Sequence, residues 1–228
     1  MSTPARQLVL DLPHRPALGR EDFIVSDSNG AAERMVCAWP GWAHPALVVA
    51  GPAGSGKTHL VNVWRHMAGA GVIAASALDA AAAALLAGSR ALAVEDADRG
   101  IGSEQALFHL MNLSREQGLS LLITGRAPPG EWTIALPDLR SRLRACPVAA
   151  LGEPDETLLL TVLVKLLSDR QLPATPAAVS YLARHLDRSM ASALAVVSAL
   201  DRLLWDKPSE ITRDVARRAL AEIGKDGD

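Results

Sequence analysis

The residues best suited to chemistry form one glycine-rich run, Gly51-Pro52-Ala53-Gly54-Ser55-Gly56-Lys57-Thr58. The run fits the spacing GxxxxGK[ST], in which the glycines let the backbone fold around phosphate groups with no Cβ in the way. Backbone N–H groups and the positive end of the following helix attract the phosphates. Lys57 reaches the outer phosphates as a point charge, and the Thr58 hydroxyl can ligate Mg²⁺. The spacing therefore predicts a binding loop for a nucleoside diphosphate or triphosphate.

Two carboxylates, Glu95 and Asp96, follow directly after the apolar run at residues 91–94. A carboxylate at the end of a strand beside a phosphate-binding loop can serve Mg²⁺, and a second one can orient or deprotonate an attacking water. We predict that Glu95 serves the metal and that Asp96 serves the water. The alternative is that these acids, together with Asp98, are solvated residues that cap the next turn.

The apolar pattern predicts the elements that must position these residues. Five short apolar runs are typical of strands covered on both faces of a sheet, and they fall at residues 46–50, 72–75, 91–94, 120–124 and 147–150. Helix-like stretches lie between them, at residues 57–68, 78–87, 103–117 and 137–143. Strands that alternate with helices predict an α/β fold with a parallel sheet of about five strands.

After Pro154 the strand pattern stops, and only helical patterns follow. Asp155 is a predicted N-cap, and further helices are predicted at residues 177–186, 190–205 and 212–223. We therefore expect a flexible N-terminal tail over residues 1–22, an α/β domain over 23–152 and a small all-α domain over 153–228.

Charge and composition argue against several classes of protein. The 228 residues carry a formal net charge of −2, without the basic excess with which a dedicated DNA-binding protein neutralises phosphates. The two cysteines lack metal-ligand spacing and are expected to be buried thiols. No run reaches the roughly 20 apolar residues that span a bilayer, and the N-terminus lacks a signal-peptide pattern. We therefore expect a cytoplasmic protein with protein partners and no membrane contact.

These motifs together resemble the AAA+ module of the bacterial replication initiator DnaA, and more closely the shorter DnaA-related regulators of the Hda type. The resemblance covers nearly the whole chain and implies an AAA+ P-loop NTPase domain followed by a helical lid. Its further motifs are Phe23-Ile24-Val25 before the phosphate-binding loop, Thr124-Gly125 at a strand end, and residues 136–143.

The resemblance assigns roles to individual residues. It implies that Thr124 is the residue called sensor 1, that Arg142 is an arginine finger, and that Asp96 is catalytic. It implies that Thr58 and Glu95 bind Mg²⁺. The residues implied to bind ADP or ATP are Gly51, Pro52, Gly54, Ser55, Gly56, Lys57, Thr58, His59, Phe23 and Val25.

The resemblance also implies partners. A segment of the N-terminal tail is similar to a motif that binds the DNA sliding clamp, the β subunit of DNA polymerase III, through Gln7, Leu8, Leu10 and Leu12. A protein of this kind binds the clamp and stimulates ATP hydrolysis by DnaA through its arginine finger. We expect contact with DNA only through partners, since the resemblance ends at the lid, and we leave a homo-oligomer open.

Three departures from the family pattern bear on catalysis. Glu95 stands where the family often has Asp, and Arg126-Ala127 stands where Asp-Arg is usual. Ala191 occupies the position of the lid arginine called sensor 2, three residues from Arg188. We therefore expect weak hydrolysis by the chain itself, and its preference for ATP or ADP stays open. The alternatives are an independent AAA+ ATPase or loader, and a DnaA paralogue that acts on DNA.

Overall fold

The computed structural model describes residues 23–86, 88–205 and 209–224. The predicted clamp-binding residues Gln7, Leu8, Leu10 and Leu12 lie outside these ranges, so the clamp interaction stays a prediction. Within the described ranges, no helix is long and apolar enough to cross a membrane.

Five parallel strands form the central sheet, in the order β2-β3-β4-β1-β5. Their bounds are Ala46–Ala50 (β1), Gly71–Ala74 (β2), Ala91–Glu95 (β3), Ser120–Gly125 (β4) and Val148–Ala150 (β5). All of β1 is buried, whereas β2, at one edge of the sheet, alternates between half-buried and exposed residues. The α/β prediction is confirmed, and each predicted strand is present to within a residue at each end.

Helices cover both faces of the sheet, which is why the strands are apolar on both sides. These helices are Gly30–Cys37 (α1), Lys57–Ala68 (α2), Ala80–Leu86 (α3), Glu104–Gln117 (α4) and Pro137–Ala145 (α5). One core lies between the sheet and α3, α4 and α5, and a second lies between the sheet and α1 and α2. The β1 side chains alternate between the two cores: Val48 enters the first, and Leu47 and Val49 enter the second.

Two helices differ from the sequence prediction. The helix predicted at residues 78–87 begins only at Ala80, because the Asp79 carboxylate accepts the Ala82 N–H at 2.7 Å and so caps the helix at its start. Helix α1 was not predicted. Its apolar face is narrow, with only Gly30, Ala32 and Val36 buried.

The remaining helices form a bundle with its own core, and we call residues 156–223 the helical bundle. Its helices are Glu156–Asp169 (α6), Pro176–His185 (α7), Met190–Leu204 (α8) and Arg213–Ile223 (α9). Side chains of Asp155, Thr175 and Ser189 each accept the N–H three residues ahead, which fixes the starts of α6, α7 and α8. The N-cap predicted at Asp155 is therefore confirmed.

Candidate functional site

The phosphate-binding loop joins the end of β1 to the start of α2, as the sequence predicted. Gly54 and Gly56 adopt φ values of +72° and +98°, a region that side chains rarely occupy. The Lys57 ammonium donates to the carbonyl oxygens of Gly51 at 2.7 Å and Pro52 at 2.8 Å. An ammonium has three N–H donors, so one remains for a phosphate oxygen.

The charge state of Lys57 reflects its position under the loop. Burial lowers the pKa of its ammonium, and the carboxylates of Asp96, Asp98 and Glu95 act in the opposite direction. The guanidinium of Arg126 lowers the pKa further, because two cations near one another repel. Lys57 therefore interacts electrostatically with the acidic end of β3 and with a second cation.

The predicted metal residues lie next to each other. The Thr58 hydroxyl donates to a carboxylate oxygen of Glu95 at 3.0 Å, which joins the start of α2 to the end of β3. Oxygens of these two types suit Mg²⁺, which is commonly held by one or two protein groups together with phosphates and waters. Thr58 and Glu95 therefore fit a Mg²⁺ ion, which when bound neutralises part of the phosphate charge. Within the described ranges, no group of three or more His, Cys, Asp or Glu residues forms a metal cage.

Asp96 and Thr124 are joined across neighbouring strands. The Asp96 N–H donates to the Thr124 hydroxyl at 3.0 Å, and Thr124 is 1% exposed. Asp96 has a φ of +58°, an uncommon value for a residue with a side chain, although Asp tolerates it better than most. This bond fixes the backbone of Asp96 and leaves its exposed carboxylate, 3.7 Å from Arg99, at the edge of the site. The arrangement can orient a water beside a phosphate.

A buried hydroxyl within the loop also bears on the ligand. Ser55 is 3% exposed, and its hydroxyl oxygen has no hydrogen-bond partner within the described residues. A buried polar group without a partner is costly, and one at a binding site often finds its partner in the ligand. Together with the third N–H of Lys57, this hydroxyl fits a polyphosphate.

A cavity of about 500 Å³ opens above the loop. The phosphate-binding loop, Asp96 and Arg126 give it polar walls. The helical bundle contributes apolar side chains of Leu158, Val162, Leu166, Met190 and Leu194 together with the charged residues Lys165, Asp169 and Arg170, and the segment before α1 adds Phe23 and Ile24. A cavity with both charged and apolar walls fits a molecule with a charged tail and a flat, weakly polar base.

The segment before α1 is held by buried polar contacts. The Asn29 side chain donates to the Ile24 carbonyl at 2.9 Å and accepts the Ser26 N–H at 2.8 Å. Phe23 meets His59 edge to face, with ring centroids 5.2 Å apart. Phe23, Ile24 and His59 line the cavity, whereas Val25 is 54% exposed and does not.

The helical bundle contacts the phosphate-binding loop directly. The Met190 N–H, at the start of α8, donates to the Gly54 carbonyl at 2.9 Å. A Cβ on Gly54 would lie 2.4 Å from the Ser189 Cβ, so the loop and α8 meet at a point where only glycine fits. The cavity is therefore closed by two parts of the chain that are far apart in sequence.

The positively charged residues that line the cavity stand at other sequence positions than those of the family that the sequence resembles. Ala191 lines the cavity and contributes no charge, while Arg188 is exposed and does not line it. Arg126, which follows β4, does line it, as do Lys165, which pairs with Asp169 at 3.8 Å, and Arg170, which donates to the Ser198 hydroxyl at 3.1 Å. The predicted finger, Arg142, is half-buried on α5 and lies over the Phe108 ring, 4.6 Å from its centroid. It does not line this chain's own cavity.

No protein-family model matches the chain. No curated protein matches it either. Solved structures do match. Domain III of the Thermotoga maritima replication initiation protein DnaA is similar with a TM-score of 0.79 at 20% identity, over 92% of this chain and 98% of that one. The fold is that of an AAA+ P-loop domain.

Two further AAA+ structures show the same likeness. AMPPCP-bound DnaA from Aquifex aeolicus aligns with a TM-score of 0.74 at 16% identity, over 92% of this chain and 71% of that one. The Thermotoga maritima RuvB Holliday junction branch migration motor aligns at 0.71 and 17%, over 90% and 72%. At these identities the likeness establishes the AAA+ fold and leaves the activity to be argued from the site.

The sequence did not reveal the bundle's share of the cavity. The apolar face of α6 was predicted as core, and Leu163 and Leu167 do pack there, but Val162 and Leu166 also line the cavity. The sequence did contain one signal of this role, because the apolar face of α6 is wider than a single core needs. Arg126 was noticed only as a departure from a pattern.

Proposed function

We propose that this chain is an adenine-nucleotide-binding AAA+ regulator of replication initiation. In this proposal it binds the sliding clamp and stimulates ATP hydrolysis by DnaA through Arg142. The nucleotide in its own site is ADP or ATP with Mg²⁺, and it acts mainly as a structural ligand.

The observation that carries nucleotide binding is the cavity above the loop. The Lys57 ammonium and the Thr58 hydroxyl, which is bonded to Glu95, line it for the phosphates, and Phe23 with apolar side chains of the bundle lines it for the base. Adenine is favoured because DnaA structures of the same fold were solved with AMPPCP, an adenine nucleotide.

The position of Arg142 supports action on a partner. An arginine finger stabilises the charge on a transferring phosphoryl group in a neighbouring subunit. Arg142 lies outside the chain's own cavity and is held over Phe108 by a cation–π contact. In this proposal the half-buried Arg142 side chain exchanges its contact with Phe108 for a phosphate in the site of a second AAA+ protein.

The choice of DnaA as that partner rests on likeness in fold and motif. The chain aligns with nearly the whole of DnaA domain III, and AAA+ domains commonly assemble side by side with domains of the same shape. The tail residues Gln7, Leu8, Leu10 and Leu12 would bring the protein to clamps on DNA, since leucines on a short peptide can order in apolar pockets.

The proposal is tested with purified DnaA, ATP, and clamps loaded on DNA. Wild-type protein should accelerate ATP hydrolysis by DnaA, and Arg142→Ala should lose most of that stimulation. Mutagenesis of arginine fingers in general changes rates by about 10³-fold or more. Arg140→Ala is the matched control, because it removes an exposed arginine from the same helix. Equal stimulation by wild type and Arg142→Ala would disprove the finger role.

Clamp dependence is tested in the same assay. Replacing Leu10 and Leu12 by Ala should abolish stimulation when clamps are limiting, while nucleotide binding by the chain stays intact. If stimulation does not depend on clamps, the proposed clamp binding has no part in this function.

A second candidate is an independent ATPase. The observations that favour it are the Thr58–Glu95 contact and the Thr124–Asp96 bond, which hold the residues predicted to serve the metal and the water. This candidate predicts steady turnover by the isolated protein, abolished in Asp96→Asn. Turnover that appears only in DnaA favours the regulatory function.

A further inference from the structure

Arg126 is fixed at the mouth of the phosphate-binding loop by contacts on both sides of it. The Gly51 N–H, the first of the loop, donates to the Gly125 carbonyl at 3.2 Å. The Trp132 indole N–H donates to the Ala127 carbonyl at 2.7 Å. Trp132 is 5% exposed, and a Cβ on Gly125 would lie 2.6 Å from its ring. The backbone of Arg126 therefore has little freedom.

The side chain of Arg126, in contrast, is exposed and lines the cavity. It forms no hydrogen bond or ion pair with any other residue of the described ranges. It is close enough to Lys57 for the two cations to repel one another. Lys165 and Arg170 of the bundle also line the cavity, but Lys165 pairs with Asp169 at 3.8 Å and Arg170 donates to the Ser198 hydroxyl at 3.1 Å. The repulsion between Lys57 and Arg126 is relieved by an anion that binds between them.

Arg126 belongs to the strand end that is predicted to serve the outer phosphates. It follows Thr124 of β4 by two residues, and the Thr124 hydroxyl accepts the N–H of Asp96, directly after β3. Phe23, which is proposed to contact the base, lines the cavity from a separate segment of the chain. A guanidinium presents a planar fork of donors that matches phosphate oxygens, which an ammonium cannot do.

We propose that Arg126 binds the outermost phosphate of the nucleotide in this chain's own site and makes the site prefer a triphosphate. The inference rests on the proposed nucleotide binding and adds to it the residue that sets the preference between ATP and ADP.

The test is a comparison of dissociation constants for AMPPCP and ADP, each with Mg²⁺, by calorimetry. Arg126→Gln should weaken AMPPCP binding by about tenfold or more, the loss expected for one charged hydrogen-bonded contact, and should leave ADP binding within about twofold. Arg126→Lys should restore part of the loss, because it keeps the charge and loses the fork. The ratio of the two constants is the readout, since a general loss of folding would weaken both ligands together.

Arg144→Gln is the matched control, because it removes one positive charge from an exposed arginine that does not line the cavity. It should leave both constants unchanged. If wild type and Arg126→Gln have the same AMPPCP-to-ADP ratio, the role of Arg126 is refuted while nucleotide binding stands. If wild type binds neither nucleotide at millimolar concentration, the proposed function fails, and the role of Arg126 fails with it.

Discussion

Single side chains around the phosphate-binding loop are held by specific contacts rather than by packing alone. Lys57 bridges two loop carbonyls, and the Thr124 hydroxyl accepts the Asp96 N–H from the next strand. Each contact holds a charged or polar group in or beside the cavity. The candidate site is thus positioned by a few hydrogen bonds at a rigid sheet edge.

Some of these residues could be predicted from sequence and others could not. The loop residues were predictable because phosphate binding restricts residue types at fixed spacings. Arg126 was not, because its place beside Lys57 depends on β4 lying next to β1, and strand order is not encoded in apolar periodicity. Val25 was assigned to the base by the resemblance of Phe23-Ile24-Val25 to a family segment, but only Phe23 and Ile24 line the cavity, and Val25 is 54% exposed.

Cys146 gives a prediction about pH. Burial raises the pKa of its thiol from 9.0 to about 11, whereas Cys37 is only half-buried, contrary to expectation. Between these pH values the unfolded chain loses a proton that the folded chain keeps, so stability falls as pH rises through this window. The loss is on the order of 2 to 3 kcal/mol.

Urea unfolding at pH 8 and at pH 10.5 measures this loss. Wild type should lose more stability between the two pH values than Cys146→Ala, which lacks the group and carries every other titration. Equal losses of stability in the two proteins would show that folding does not raise the pKa of the Cys146 thiol.

The phosphate-binding loop and the start of α8 meet at the site, and alanine substitutions at two glycines test this contact. Gly54 and Gly56 both have positive φ, so alanine costs about 1 to 2 kcal/mol of backbone strain at either position. Only at Gly54 would the new Cβ also overlap Ser189, while nothing lies within 4 Å at Gly56. Gly54→Ala should therefore be the more destabilising substitution when unfolding is measured without nucleotide. Equal losses would mean that α8 does not rest on the loop.

The sequence predicted the boundaries of fully buried elements well and those of partly buried elements poorly. The central strands are buried on both faces, and their apolar runs mark them clearly. Helix α1 buries a narrow face of small residues, so its pattern carried little signal. The start of α3 depended on one side-chain cap at Asp79, a detail that periodicity does not report.

For the whole molecule, the nucleotide would bridge the α/β part and the helical bundle. A ligand that binds only the folded chain stabilises it by about 2.7 kcal/mol at 100 times its dissociation constant. Thermal melts should therefore shift upward with ADP or ATP in wild type. The shift should be absent in Lys57→Ala, while Arg65→Ala, an exposed change on the same helix, keeps it. An undiminished shift in Lys57→Ala would place the ligand elsewhere.

The close approach of Gly54 to Ser189 limits how this chain can vary. A methyl group at position 54 would overlap the Ser189 side chain at the start of α8, whether or not the loop binds phosphate. Gly54 is thus constrained twice, once by its φ of +72° and once by the Ser189 side chain at the start of the helix that covers it. A larger residue at position 54 would therefore require a second substitution at position 189.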